Sequence, residues 1–420
     1  MKKDNLRLYP IYRSISADLI FYYSIYLLFL TQIKGLATTD VVLGGAFFSL
    51  FCVLIQIPIL MIADNLGNKK SIILGNIFNS ISIVLILLCT SLPQLIISQL
   101  FSAIAFSLKG TCESSLLTDS LPYSKKKGGL VAKLDGAGLS LYYYINAVSS
   151  IISGFVFHIN GYIPIAICLS ITVISTILSL RFKEVKKEKL EQNITLKKEI
   201  KLYLKNLKKS FKFIFRSKRL KGLLIFSGIF AGIINLLMSY DISLLNELNI
   251  SPIHIGLMFA VFGVLSGVAS NRQNKIHEKL KNKTLAFISI IYMLACLISG
   301  LITIFDTTVT TLVIIFFAYA IRYYNIGLFN ISIKRYLGNF TTDKISSKIY
   351  AVNYLVQNFF RAIICFAGSM LLTFTKTTNI AMLIVGCIGV LAMFMVTLYM
   401  KSRVGLKADE YNKNDIEFES

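Results

Sequence analysis

The stretch FCVLIQIPILMIADNLGNKKSIILGNIF, residues 51–78, decides how this chain is read. An apolar run ends at Asp64, a short polar loop carries Gly67, Lys69 and Lys70, and a second apolar run begins at once. A bilayer core about 30 Å thick is crossed by roughly 20 apolar residues in a helix. The flanking runs, 41–63 and 71–90, have that length, so the segment predicts two crossing helices joined by a tight hairpin. Asp64 ends the first helix, and Gly67 permits the left-handed turn that such a hairpin needs.

Working outward, the same pattern fills the chain. Of 420 residues, 55% are hydrophobic and 15% charged, and the mean hydropathy is +0.68. Soluble domains average about 45–50% apolar and about 25% charged. This excess is more than a soluble core of one chain encloses, so an integral membrane protein is expected. Twelve spans are predicted, near 11–33, 41–63, 71–90, 94–114, 136–158, 162–181, 221–246, 253–271, 284–304, 308–330, 349–374 and 379–400.

The net charge of +23 sits in the gaps between spans, not on one soluble face, which argues against a nucleic-acid partner. Basic gaps alternate with nearly neutral ones: Lys69 and Lys70, Lys125 to Lys127, 183–221, Arg272 to Lys283, Lys334 to Lys348 and Lys401 to Lys407. The positive-inside rule then places both termini in the cytoplasm of a multi-pass plasma-membrane protein. The short basic N-terminus leads straight into a span, so no cleavable signal peptide is expected. None of the seven cysteines forms a C-x-x-C pair, and nearly all lie in apolar runs as packing residues.

The long loop divides the chain into a six-helix half, 1–182, a basic linker, 183–220, a second six-helix half, 221–402, and a tail, 403–420. Within the linker, Leu204, Leu207, Phe211 and Phe215 oppose Lys205, Lys208, Lys209 and Lys212 at helical spacing, as in an amphipathic helix lying on an anionic leaflet. The halves echo each other. FCVLIQIP at 51–58 parallels FGVLSGVA at 262–269, Phe106 and Lys109 parallel Tyr319 and Arg322, and Gly154 parallels Gly368.

Two six-helix halves, cytoplasmic termini and a basic middle loop resemble the major facilitator superfamily. Its loop 2–3 motif, G-x-x-x-D-R/K-x-G-R/K-R/K, is matched in part by Asp64, Gly67 and Lys69, with Lys70 adjacent, while Asn65 and Asn68 replace cations and Leu60 the leading glycine. The resemblance implies an all-α fold of twelve transmembrane helices in two pseudo-symmetric six-helix bundles. It also implies a conformational latch at Asp64, Gly67 and Lys69 and a cavity lined by the first helix of each half.

Ionisable groups at bilayer depth are functional candidates by default. Asp18 lies in the first span on a stripe with Ser14, Tyr22 and Tyr26 and either takes up a proton, binds a cationic substrate or pairs with Arg13. Lys109 and Glu113, one turn apart in the fourth span, read as a mutual i,i+4 salt bridge or as a coupling pair. Asp119 reads as solvated. Arg361, with Gln357, Tyr354 and Tyr350, lies near the middle of span eleven and needs a carboxylate or an anionic substrate group. Arg322 shares a face with Tyr319 and Tyr323, and Asp241 reads as near the outer, loop-exposed end of span seven.

No metal-ligand spacing, cofactor motif or G-x-x-x-x-G-K-S/T is present, and no nucleophile–base pair points to an enzyme. The favoured reading is therefore a secondary transporter, expected as a monomer. It exports a small amphipathic molecule or drug by alternating access in exchange for protons or another coupling ion. Span five lacks the G-P step of the best-known drug–proton antiporters. Import or exchange of an anionic metabolite or peptide, bound by Arg361, Arg322 and Lys109, remains an alternative, and a non-transporting membrane sensor is a more distant one.

Overall fold

The computed structural model describes residues 2–121, 127–185, 218–280, 283–304, 308–339 and 346–404. Most of the expected linker helix (183–220) and of the tail (403–420) lies outside the described residues. Within them the regular elements are all helical. They are α1 (Lys2–Ser16), α2 (Tyr26–Leu28) continued by a π-helical turn (Phe29–Ile33), α3 (Thr38–Leu66), α4 (Asn68–Leu88), α5 (Leu92–Ser120), α6 (Lys127–Ile159) and α7 (Ile163–Leu180). After the linker come α8 (Lys218–Glu247), α9 (Pro252–Leu280), α10 (Thr284–Ile302), α11 (Val309–Asn339), α12 (Ser346–Thr375) and α13 (Thr378–Val404).

From α3 onward, the described residues hold 11 helices long and apolar enough to cross a membrane. Helices are favoured there because lipid offers no partner for backbone N–H and C=O groups. Their ends follow local chemistry. Prolines open α5, α7 and α9, where the missing N–H has no intrahelical partner. Gly67 closes α3 and opens α4 at φ 83°, ψ 165°. That is mirror-image extended backbone, which only glycine adopts freely, in place of the left-handed turn expected from the sequence.

The first expected span differs most. Residues 11–33 do not form one helix. α1 begins at Lys2, ends at Ser16, and a non-helical stretch from Ala17 to Ile25 precedes α2. Ser14, Ser16 and Asp18 compete with backbone hydrogen bonds, and the following Ile20–Tyr23 run has poor helix propensity. Phe21 takes a positive φ of 68°. Ser14, Asp18, Tyr22 and Tyr26 therefore do not form one helical stripe.

The chain divides into two compact units, the first from residues 1–37, 47–204 and 251–260, the second from 38–46, 205–250 and 261–420. In the first, α4 packs on α5 and α7, and α1 on α6. In the second, α10 packs on α11 and α13, and α8 on α12. The same helix pairings thus recur, which is the duplication read from the sequence.

Candidate functional site

In the first unit, α1 carries a polar network into the gap between α5 and α6. Arg13 Nη1 lies 2.6 Å from Glu113 Oε2, and Arg13 Nε lies 3.3 Å from Asp135 Oδ1. Tyr12 donates to Glu113 Oε1 at 3.0 Å, and Tyr9 donates to Asp135 Oδ1 at 3.0 Å. Asn76 of α4 donates to the Tyr12 hydroxyl at 3.0 Å. Glu113 is buried, so these donors supply what water would have supplied. Gly138 of α6 lets α1 approach closely, since a Cβ there would lie 2.7 Å from Arg13 Cβ.

Lys109 does not form the expected bridge to Glu113. Arg13 takes that carboxylate, and Lys109 Nζ turns to the carbonyl of Ser16, 2.7 Å away, at the C-terminal end of α1. The partial negative charge of a helix C-terminus favours a cation there. Lys109 is buried, with Nζ 5.3 Å from the Phe106 ring centroid. Asp18 lies two residues beyond Ser16, in the break, and its Oδ1 accepts the Leu19 N–H at 2.8 Å. Tyr22 packs against Tyr26 at 5.0 Å between centroids, and the buried Tyr22 hydroxyl has no hydrogen-bond partner.

In the second unit, Asp241 is not loop-exposed. It and Arg322 are both 0% exposed and meet at 2.5 Å. Arg322 Nη2 donates to the Tyr292 hydroxyl at 3.2 Å, and the guanidinium lies over the Tyr292 and Tyr319 rings at 5.0 and 5.1 Å. Arg361 is arranged differently. Its neighbours on α12 reach α8: Gln357 donates to Ser227 Oγ at 2.7 Å, and Cys365 donates to Asn235 Oδ1 at 3.3 Å. Among the described residues Arg361 pairs with no carboxylate, and its buried Nε lacks a hydrogen-bond partner.

The side chain of Asp64 lies outside the described residues. At the loop it precedes, the carboxylate in view is Glu184, which sequence reasoning did not single out. Glu184 accepts the Asn68 N–H at 3.0 Å and the Lys69 N–H at 2.8 Å, so it caps α4 where the helix dipole favours an anion. Asp119 is not simply solvated, because it accepts from Asn68 Nδ2 at 3.0 Å.

Residues 181–185 continue from α7 as a strap. Asn5 and Lys183 exchange hydrogen bonds, Asn5 Nδ2 to the Lys183 carbonyl at 2.8 Å and Lys183 N–H to Asn5 Oδ1 at 2.9 Å. Phe182 is buried edge-on against Tyr12 at 5.1 Å. The exposed Lys183 ammonium hydrogen-bonds Asp4 at 2.7 Å and holds its carboxyl below the usual aspartate range. Asp135, Glu184 and Tyr292 left no sequence signal, because a charge or tyrosine near a helix end looks the same whether paired or solvated.

Residues 14–360 match the sequence profile of the Major Facilitator Superfamily. The chain belongs to the major facilitator superfamily. This superfamily member is therefore a multi-pass membrane transporter. Solved structures similar to it include the nucleoside transporter NupG, at TM-score 0.69 and 12% identity, covering 95% of this chain and 99% of that one. A D-xylose–proton symporter aligns at TM-score 0.66 and 15% identity over 92% and 96% of the two chains. A POT family transporter in complex with 5-aminolevulinic acid aligns at TM-score 0.70 and 13% identity over 95% and 96%. At these identities the likeness concerns the fold alone. No curated protein matches this superfamily member in sequence.

Proposed function

We propose that this superfamily member is a proton-coupled secondary transporter of a small amphipathic molecule, working as an exporter. The observation that carries the coupling is that Lys109 holds the Ser16 carbonyl at the break in the first span, two residues before Asp18. Lys109 and Asp18 are both groups that exchange protons, held at membrane depth where an ionisable side chain is costly to keep without a task. The charge state of the remaining site supports an amphipathic substrate over an anionic one. Asp241 neutralises Arg322, and Lys109 is taken up by the Ser16 carbonyl. Of the three cations expected to bind an anion, Arg361 alone is left without such a partner among the described residues, its buried Nε unsatisfied.

The test is flux in proteoliposomes of the purified protein under an imposed pH gradient, against a panel of amphipathic compounds. Substrate movement opposite to the proton gradient is expected, and Asp18→Asn abolishes it while the protein still inserts. Movement down the proton gradient identifies a symporter and overturns export. Unchanged gradient-driven flux in Asp18→Asn removes Asp18 from coupling.

A further inference from the structure

On the exposed side of the first unit, α4 and α7 leave a groove between them. Ser80 of α4 and Thr172 of α7 hydrogen-bond at 3.2 Å and draw the two helices together at its base. Ile77, Ile81 and Val84 form one wall, Val173, Thr176 and Ile177 the other, and the groove holds about 390 Å³. That volume falls within the roughly 300–1,000 Å³ of small-molecule sites. Exposed rows carry the groove on toward the C-terminal end of α4. On α4 the row is Ile77, Ile81, Val84 and Leu88. On α7 it is Ile177, Val173, Ser170, Ala166 and Tyr162, where the small Ser170 and Ala166 add no bulk to close the path.

A cation stands at the head of these rows. Lys34 Nζ donates to the Leu87 carbonyl at the end of α4 and, at 3.5 Å, to the Tyr162 hydroxyl. It lies 4.9 Å from the Tyr162 ring centroid and 5.6 Å from that of Phe29. The π-helical turn that precedes Lys34 is pinned to the start of α7, since a Cβ at Gly161 would lie 2.7 Å from Ile33 Cδ1. An ammonium has three N–H donors, and Leu87 and Tyr162 take two of them. Among the described residues no carboxylate pairs with Lys34.

We propose that this is a binding site for one anionic phospholipid, with its phosphate on Lys34 and Tyr162 and one acyl chain along the α4–α7 groove. The dimensions suit it. At about 1.5 Å per residue the row from Ile77 to Leu88 is roughly 16 Å long, close to half of a hydrocarbon core about 30 Å thick. Tyrosine and lysine are the side chains that settle at the boundary between acyl chains and headgroups. Basic pockets between spanning helices hold acidic headgroups. A single cation without a carboxylate partner matches a headgroup of one net negative charge, whereas a zwitterionic headgroup brings a cation of its own. The bound lipid ties the π-helical turn of the first span to α4 and α7.

The test uses the purified full-length protein in detergent, with dioleoyl-phosphatidylglycerol and dioleoyl-phosphatidylcholine as probes. It reads melting temperature and lipid retention in native mass spectrometry, neither of which depends on transport. Wild type is expected to melt at least about 3 °C higher in phosphatidylglycerol than in phosphatidylcholine and to retain one phosphatidylglycerol. Lys34→Gln is expected to lose that difference, and Lys34→Arg to keep at least about half of it. Val84→Trp, which fills the groove from an exposed position and leaves Lys34 in place, is expected to lose the retained lipid. Lys376→Gln, which removes a cation of the second unit, is expected to keep the full difference. Each comparison is between two lipids within one variant, so a general loss of stability does not imitate the effect. Equal melting of wild type in the two lipids overturns the proposal, as does a difference that survives Lys34→Gln or vanishes in Lys376→Gln. Undiminished retention in Val84→Trp overturns the seat of the acyl chain. An equal shift from water-soluble glycerol phosphate identifies a free-phosphate site and overturns the lipid.

Discussion

Lys109 and Arg322 hold corresponding places in the two repeats, and their surroundings separate their roles. Arg322 cannot shed its proton, and it is closed in by Asp241, Tyr292 and Tyr319. Removing one partner of such a buried pair strands a charge and costs about 3–5 kcal/mol, whereas replacing both with apolar residues is often neutral. Arg322→Ala is therefore expected to lower stability by about that amount, and Arg322→Met with Asp241→Leu by far less. A double-mutant cycle of thermal unfolding in detergent checks this, and additive losses would show that the two residues are uncoupled. Arg361, with an unsatisfied buried Nε, is expected to behave as a binding group: Arg361→Ala should reduce substrate affinity more than Arg361→Lys. Equal affinities in the two variants would make its charge incidental. Asp4 and Lys183 make an exposed pair whose lowered aspartate pKa contributes only above the ordinary aspartate range and is lost as pH falls through the lowered value. Solvent screening leaves it little weight, so Asp4→Asn is expected to leave the melting temperature unchanged at pH 7.

At the scale of elements, the positions of the later helices were legible because a crossing needs an uninterrupted apolar run and almost nothing else. Their ends were less so. α5, α9 and α11 run on to Ser120, Leu280 and Asn339, past the apolar runs that located them. The first span was misread because weak local signals, Ser14, Ser16 and Asp18 before a β-prone run, were outweighed by its apolar length, and the partner that takes the freed carbonyl comes from another helix. Nothing in ISADLIFYY shows that the Ser16 carbonyl will be taken by Lys109, nearly a hundred residues away. The same limit hid the exchange of partners by which Glu113 turned to Arg13 in preference to its own helix neighbour. That exchange depends on how closely α1 approaches α6, and Gly138 sets the approach. Gly138→Ala is expected to push α1 outward, weaken the Arg13–Glu113 contact and lower the melting temperature more than Gly136→Ala, where a Cβ meets open space. Equal effects of the two substitutions would mean that the close approach carries no energy.

Across the whole molecule, duplication left two copies of one packing scheme with different chemistry inside. The repeat was visible in FCVLIQIP and FGVLSGVA, and the recurring helix pairings agree with it. The first copy carries two groups of titratable type, Asp18 in the break and Lys109 on the Ser16 carbonyl, while the second buries a closed ion pair. The pH dependence of flux is therefore expected to survive joint replacement of Asp241 and Arg322 by Asn and Met, and to flatten in Lys109→Gln. A flattened profile in the first variant would assign coupling to the wrong half.

The strap at 181–185 has a consequence for dissecting the protein. Through Phe182, Lys183 and Glu184, the stretch that begins as the connector between the halves serves as structural material of the first half. A gene divided just after Leu180 gives the amino-terminal fragment a bare α4 cap and an Asn5 that has lost both hydrogen bonds to Lys183 and keeps only Ser120, whereas division after residue 190 keeps both intact. Co-expressed fragments cut at the later point should reassemble, and reporter domains or protease sites belong beyond Val185.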